Sequence, residues 1–142
     1  MLFRPLLAGL LLALPLAAVA QSPNIEPGQW EFTSTTSVQG DMPIPDQTET
    51  HQECIAQGDI ENEEFSFIEE EEDCELLEHE VTVDGLDYRM ACQGEGGEAD
   101  IVGSMDFLGE TTEGRVEVFV QSPQVGEMEM VTEIEGRRIG DC

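Results

Sequence analysis

The chain is expected to fold as a mainly β domain: an antiparallel meander of six or seven strands, as a sandwich, half-barrel or small barrel, stapled by disulfides. Three observations predict this. Apolar and polar residues alternate with period two in several segments, the pattern of a strand with one buried face. Turn-forming residues interrupt those segments roughly every eight to twelve residues, the spacing of an all-β chain. Four cysteines, an even number, follow an export signal, which reads as two disulfides.

Residues 1–20 stand outside the expected fold. Arg4 precedes an apolar run from Leu6 to Leu16, and Ala18-Val19-Ala20 is a small-x-small cleavage site, so a signal peptide cleaved after Ala20 is expected. The run is too short to span a bilayer comfortably and no second one follows, so no integral membrane segment is expected after cleavage. No cysteine sits at the cleavage point, which disfavours a lipid anchor. A periplasmic or secreted location follows. Removing 20 residues from 142 leaves 122, enough for a single domain over 21–142.

Trp30, Phe32, Ser34 and Thr36 alternate with polar partners and mark a first strand with its aromatics on one face. Gly40, Pro43 and Pro45 mark a loop. Residues 47–55, rich in Thr, read as a weak strand that carries Cys54. Residues 56–73 are the least regular stretch; Ile60, Phe65, Phe67 and Ile68 are its large apolar residues, and Glu69 to Asp73 is an unbroken acidic run.

The clearest stretch is Cys74 to Cys92. Asp84-Gly85 is a two-residue hairpin signal, because a type I′ turn needs positive φ at both central positions. With Val83 opposite Leu86, the sets Leu77, His79, Val81, Val83 and Leu86, Tyr88, Met90, Cys92 share one face. Ile101, Gly103, Met105 and Phe107 mark the next strand, and Val116, Val118 and Val120 another. Met128, Met130, Thr132 and Ile134 alternate with Glu127, Glu129, Val131, Glu133 and Glu135 in the last.

A simple meander puts Cys54, Cys74 and Cys92 at one end of the sheet. The hairpin register places Cys74 opposite residue 95 and on the other face from Cys92. The expected pairing is therefore Cys54–Cys74 with Cys92–Cys142; Cys54–Cys142 with Cys74–Cys92 is the alternative, which needs a bulge.

Composition excludes several partners. The chain has 32 Asp and Glu against 5 Arg and no Lys, a formal charge of −27 that becomes −28 when Arg4 leaves with the signal. A polyanion such as nucleic acid would be repelled. Anionic lipid surfaces are disfavoured for the same reason.

Nothing in the sequence assembles a catalytic constellation. His51 and His79 are the only histidines, no nucleophile motif accompanies them, and oxidised cysteines supply no thiolate. A transition-metal site would need His51 and His79 to meet across neighbouring strands. A calcium site has carboxylates in excess but no Asp-x-Asp-x-Asp-Gly loop. The run Glu69 to Asp73 reads as a solvated segment. Met90, Met105, Met128 and Met130 fall on the expected inner faces, as core packing or as the wall of a cavity for a lipid-like ligand. No catalytic residue, cofactor or metal ligand is therefore expected; the site residues singled out are the disulfide cysteines Cys54, Cys74, Cys92 and Cys142.

Several short segments together suggest a family. Pro27-Gly28-Gln29-Trp30-Glu31, the loop from Met42 to Pro45, Gln52-Glu53-Cys54-Ile55, Asp73-Cys74, Met90-Ala91-Cys92 and the ending Gly136-Arg137-Arg138-Ile139-Gly140-Asp141-Cys142 resemble the bacterial domain-of-unknown-function family 3617. The resemblance covers essentially the whole mature chain. It implies a small exported proteobacterial protein, with no catalytic residue to carry over. The departure is in charge: an acidic connector between Cys54 and Cys74 and the absence of Lys read as adaptation to salt. The expected role is that of a monomeric, non-enzymatic structural or binding domain with no nucleic-acid partner. The rival is a carrier of a small apolar ligand in the sheet interior.

Overall fold

The computed structural model describes residues 22–40, 43–68 and 70–142. The expected signal peptide lies outside them, as does Met42. Seven strands form one sheet: β1 Gly28–Gln39, β2 Gln47–Ile55, β3 Cys74–Val81, β4 Gly85–Gly94, β5 Gly97–Phe107, β6 Thr111–Ser122 and β7 Gly126–Gly140. Their order is β2-β1-β7-β6-β5-β4-β3, and every neighbouring pair is antiparallel. The first and last strands pair inside the sheet, beside β2, and β2 and β3 become opposite edges. Of the three expected architectures, this is neither a sandwich nor a closed barrel but an open sheet.

One face carries the core. Trp30 and Phe32 of β1, Leu86, Tyr88 and Met90 of β4, and Met105 and Phe107 of β5 are buried there. Their spacing by two is the alternation read in the sequence. Trp30, Tyr88 and Met105 are as buried as the alternation requires, but Val81, Val118 and Met130 are only half-buried. On the outer face Glu133 and Glu135 are exposed, whereas Glu117 and Glu129 are half-buried. Glu117 sits opposite Val131, which is 6% exposed on that outer face.

What completes the core is the connector from β2 to β3. It holds a helix, α1 Gln57–Glu61, and a 3-10 turn at Ser66–Ile68. Ala56 offers no capping side chain; instead its own N–H donates to Asp59 Oδ2 at 2.9 Å. Ile60 and Phe65 are 2% and 4% exposed, and Phe65 lies 5.6 Å from Phe107 between ring centres. The connector starts at Ile55, opposite Gly28, and ends at Cys74, opposite Cys92, so it crosses the inner face from one end of the sheet to the other. A five-residue helix is marginal by itself. Its order comes from burying Ile60 and Phe65.

The central hairpin differs from expectation in register. Val81, not Val83, is opposite Leu86. Val83 and Asp84 turn their carbonyls outward: Val83 O accepts from the Asn24 N–H and Asp84 O from the Phe107 N–H, each at 2.8 Å. Those tertiary bonds hold a wider turn than the dipeptide alone predicts. A bulge at Leu77 then shifts the pairing, with Leu76 opposite Met90 but Glu78 opposite Arg89. Such an extra residue re-aims every side chain beyond it. Cys74 and Leu76 thereby turn to the face of Met90 and Cys92.

The disulfides follow from these two facts. The expected pairing Cys54–Cys74 with Cys92–Cys142 is overturned. The bonds are Cys54–Cys142, with Cα atoms 5.6 Å apart, and Cys74–Cys92, at 4.0 Å. Cys54 and Cys74 lie on opposite edges of the sheet, beyond any disulfide's reach. No cysteine is left free.

Candidate functional site

The residues carrying the most specific sequence marks lie at the two ends of the domain sequence, and the structure brings them together. β1 pairs with β7, which sets Glu31 opposite Arg137 and Phe32 opposite Gly136. Arg137 Nη2 donates to Glu31 Oε1 at 2.6 Å, and its Nε donates to the same oxygen at 3.1 Å. Gln52 on β2 adds a donor to Glu31 Oε2 at 3.4 Å. The bonds from Arg137 and Gln52 hold the Glu31 carboxyl below the usual carboxylate range.

Arg138 works on the other side of the strand. Its Nε donates to the Pro27 carbonyl at 2.9 Å and its Nη2 to Asp141 Oδ1 at 2.5 Å. Gly28 lies beneath it with φ +150°, and a Cβ there would stand 2.4 Å from the Gly140 carbonyl and 2.5 Å from Arg138 Nε. Only glycine fits this close approach. Trp30 is 0% exposed, and its indole N–H donates to the Glu26 carbonyl at 2.9 Å. From Gly140 the tail continues to Cys142, which bonds Cys54 on β2. Since β1 lies between β2 and β7, this bond straps the start of β1 into the sheet. The arrangement is a latch of ion pairs, close backbone contact and a disulfide. It holds no nucleophile–base pair.

The other candidates disperse. His51 on β2 stacks on Phe32, ring centres 5.4 Å apart, and its Nε2 is 4.0 Å from Glu53. His79 lies opposite Tyr88, on the core face as expected, but on the edge strand β3 its side chain is exposed. The two histidines stand on opposite edges, so the shared site that neighbouring strands would allow does not form. In the acidic run Glu70 Oε1 accepts the Leu76 N–H at 3.2 Å, which ties that end of the connector to β3. No group of three or more His, Cys, Asp or Glu among the described residues is placed to hold a metal ion. The methionines divide: Met90 and Met105 are core, Met128 and Met130 only half-buried.

Two features escaped the sequence reading. The ion pair Glu31–Arg137 joins residues 106 apart, and no local signal announces it. The outer face also carries Asp106, Glu113 and Glu135 in directly opposed positions on β5, β6 and β7. Like charges so placed destabilise a sheet. The alternation had placed Glu135 outward, but the row needed the strand order.

Tyr88 is the single tyrosine and gives a direct probe of packing. Its ring covers Gly103, where a Cβ would come within 2.2 Å of Cε1. Burial pushes the phenol above its ordinary value. A raised folded-state value means this contribution to stability is fully present below the unfolded value of about 10 and is lost as pH rises through the folded one. In a spectrophotometric titration near 295 nm, the native protein should ionise at higher pH than the urea-unfolded chain. A native midpoint at or below the unfolded one would contradict the packing of Tyr88 on Gly103.

Taken together, the open seven-stranded sheet, the helical connector packed on one face and the disulfide latch define a small disulfide-stapled β domain. Two disulfides are consistent with an oxidising extracellular compartment. The chain belongs to the family of proteins of unknown function DUF3617, whose profile matches residues 25–142. No curated protein and no solved structure matches it. No helix among the described residues is long and apolar enough to cross a membrane.

Proposed function

We propose that the protein is a non-enzymatic structural or binding domain, exported to the periplasm or beyond, whose acidic surface is adapted to salt. The observation that carries the salt adaptation is the row Asp106, Glu113 and Glu135. Each described arginine is already engaged: Arg89 with Glu78, Arg115 with Glu117 and Glu133, Arg137 with Glu31, and Arg138 with Asp141. The remaining carboxylates repel one another, and folding brings them closer.

Salt should relieve this. The Debye length falls from about 10 Å at 0.1 M to about 3 Å at 1 M, so opposed side chains several Å apart are screened chiefly at high salt. The domain should gain on the order of 2 kcal/mol between 0.05 M and 1–2 M NaCl, the sum of several surface charge terms of about 0.2–1 kcal/mol each. Thermal melts over NaCl concentration measure it, and a melting temperature that stays flat or falls sinks the salt adaptation.

The carrier reading draws support from Val118, Val120, Met128 and Met130, half-buried on the inner face. Against it, the other half of that face is filled by the chain's own Ile60 and Phe65. Native mass spectrometry of protein purified from cells separates the two: a bare mass favours the structural or protein-binding domain, a bound lipid the carrier.

A further inference from the structure

The sheet has two free edges, and they differ. An edge strand presents a row of backbone N–H and C=O groups to solvent, ready to pair with another chain. On β3 that row is interrupted. A bulge at Leu77 breaks the register, and the Leu76 N–H is taken by Glu70 Oε1 at 3.2 Å. On β2 nothing interrupts it. The strand pairs with β1 from Gln47 to Ile55 without a register shift, and among the described residues the backbone of 47–53 has no hydrogen-bond partner outside that ladder. Residues 47–52 are all exposed, so no described segment covers this edge.

The side chains along the edge select a partner. Glu49, His51 and Glu53 stand opposite Ser34, Phe32 and Trp30, which puts all three side by side on the inner face. Glu49 is in no ion pair among the described residues, and the one ion pair of Glu53 is with His51, at 4.0 Å. The described arginines are all engaged elsewhere. His51 stacks on Phe32 and leaves 59% of its side chain exposed. On the outer face the strand offers only the neutral Thr48, Thr50 and Gln52 beside Cys54. A strand added about 4.8 Å away would set alternate residues opposite Glu49, His51 and Glu53. Opposite charges directly across a ladder stabilise it, and like charges destabilise it. A second copy of this chain would bring another strongly acidic domain to the same edge, whereas a basic strand matches the charge at both glutamates.

We infer that the free edge of β2 takes up an extended basic segment of another protein as an eighth strand, with Arg or Lys opposite Glu49 and Glu53 and an aromatic residue beside His51. In this mode backbone hydrogen bonds supply affinity and alternate side chains choose the partner. The inference rests on the binding role proposed above and names the chemistry of the partner.

The test uses the full mature protein, 15N-labelled, in about 0.15 M NaCl, where the Debye length is about 8 Å. The probe is the capped peptide Thr-Arg-Thr-Tyr-Thr-Arg-Thr, whose symmetric pattern fits either strand direction. Saturable shifts centred on residues 47–53 and slowed amide exchange in that segment are expected. Glu49→Gln/Glu53→Gln should weaken binding about three-fold or more, the effect of losing two cross-strand charge pairs. The Glu-for-Arg peptide should not bind, nor should the Arg peptide N-methylated throughout, which keeps its charge but loses its backbone donors. Equal binding of the N-methylated peptide would show attraction to charge alone and overturn the added strand. Shifts centred on β3, or on the outer face around Asp106, Glu113 and Glu135, overturn the site. Protection of the same amides without peptide, rising with protein concentration, would make a second copy the occupant and overturn the basic partner. The absence of saturable shifts at millimolar peptide rejects the added strand; a bare native mass then leaves a structural domain, and a co-purifying lipid leaves the carrier.

Discussion

Replacing Cys54 and Cys142 together by Ala is expected to cost about 4–5 kcal/mol of stability, and replacing Cys74 and Cys92 about 3 kcal/mol. The difference comes from loop length. The two bonds close segments of 88 and 18 residues in sequence separation, and the chain entropy removed from the unfolded state grows with the logarithm of that length. The longer bond also has the harder task, because it straps β1 between β2 and β7, where the ends of the domain meet. A small domain with a total stability of about 5–15 kcal/mol has little to spare for such a loss. Denaturant melts of the two double variants measure both costs. A smaller loss for the Cys54/Cys142 pair than for the Cys74/Cys92 pair would contradict the latch. Thiol titration of the denatured, unreduced parent should find no free thiol, and two or more would rule the pairing out.

Trp30→Ala should be nearly as damaging, at about 3–5 kcal/mol. The ring is 0% exposed, lies 6.0 Å from the Phe32 ring between centres, and its N–H bonds the Glu26 carbonyl. Truncation would leave a cavity and free that carbonyl. Because this is the only Trp, the melt must be followed by circular dichroism. Glu135→Gln is the contrast. Its side chain is exposed and faces Glu113 across the strands, so the change should stay within about 0.5 kcal/mol and lean towards stabilisation. Equal costs for the two substitutions would overturn the assignment of inner and outer faces.

The connector illustrates what a linear pattern conceals. Ile60 and Phe65 are among the most buried residues of the domain, yet they stand among acidic residues with no usable period. Helix formation there depends on burial against a sheet whose strands come from distant parts of the chain, so no window around residues 56–73 contains the cause. The strand at 47–55 is a similar case. Its side chains are mostly exposed, and Thr33 and Thr35 of β1 meet Thr50 and Thr48 through their hydroxyls across the pair. That polar pairing leaves only a weak apolar signal to read.

Period-two alternation by itself determined that the chain forms strands and, for Trp30, Tyr88, Met105 and Phe107, which side is buried, because side-chain direction in a strand is set locally by the backbone. The even cysteine count likewise determined that the bonds number two. Only the tertiary structure decided which cysteines join, since the pairing of β1 with β7 sends β2 and β3 to opposite edges and the bulge at Leu77 turns Cys74 towards Cys92. It alone brought Glu31 to Arg137 and set Asp106, Glu113 and Glu135 in one row. Those facts depend on strand order and register, which are set by contacts between residues far apart in the chain.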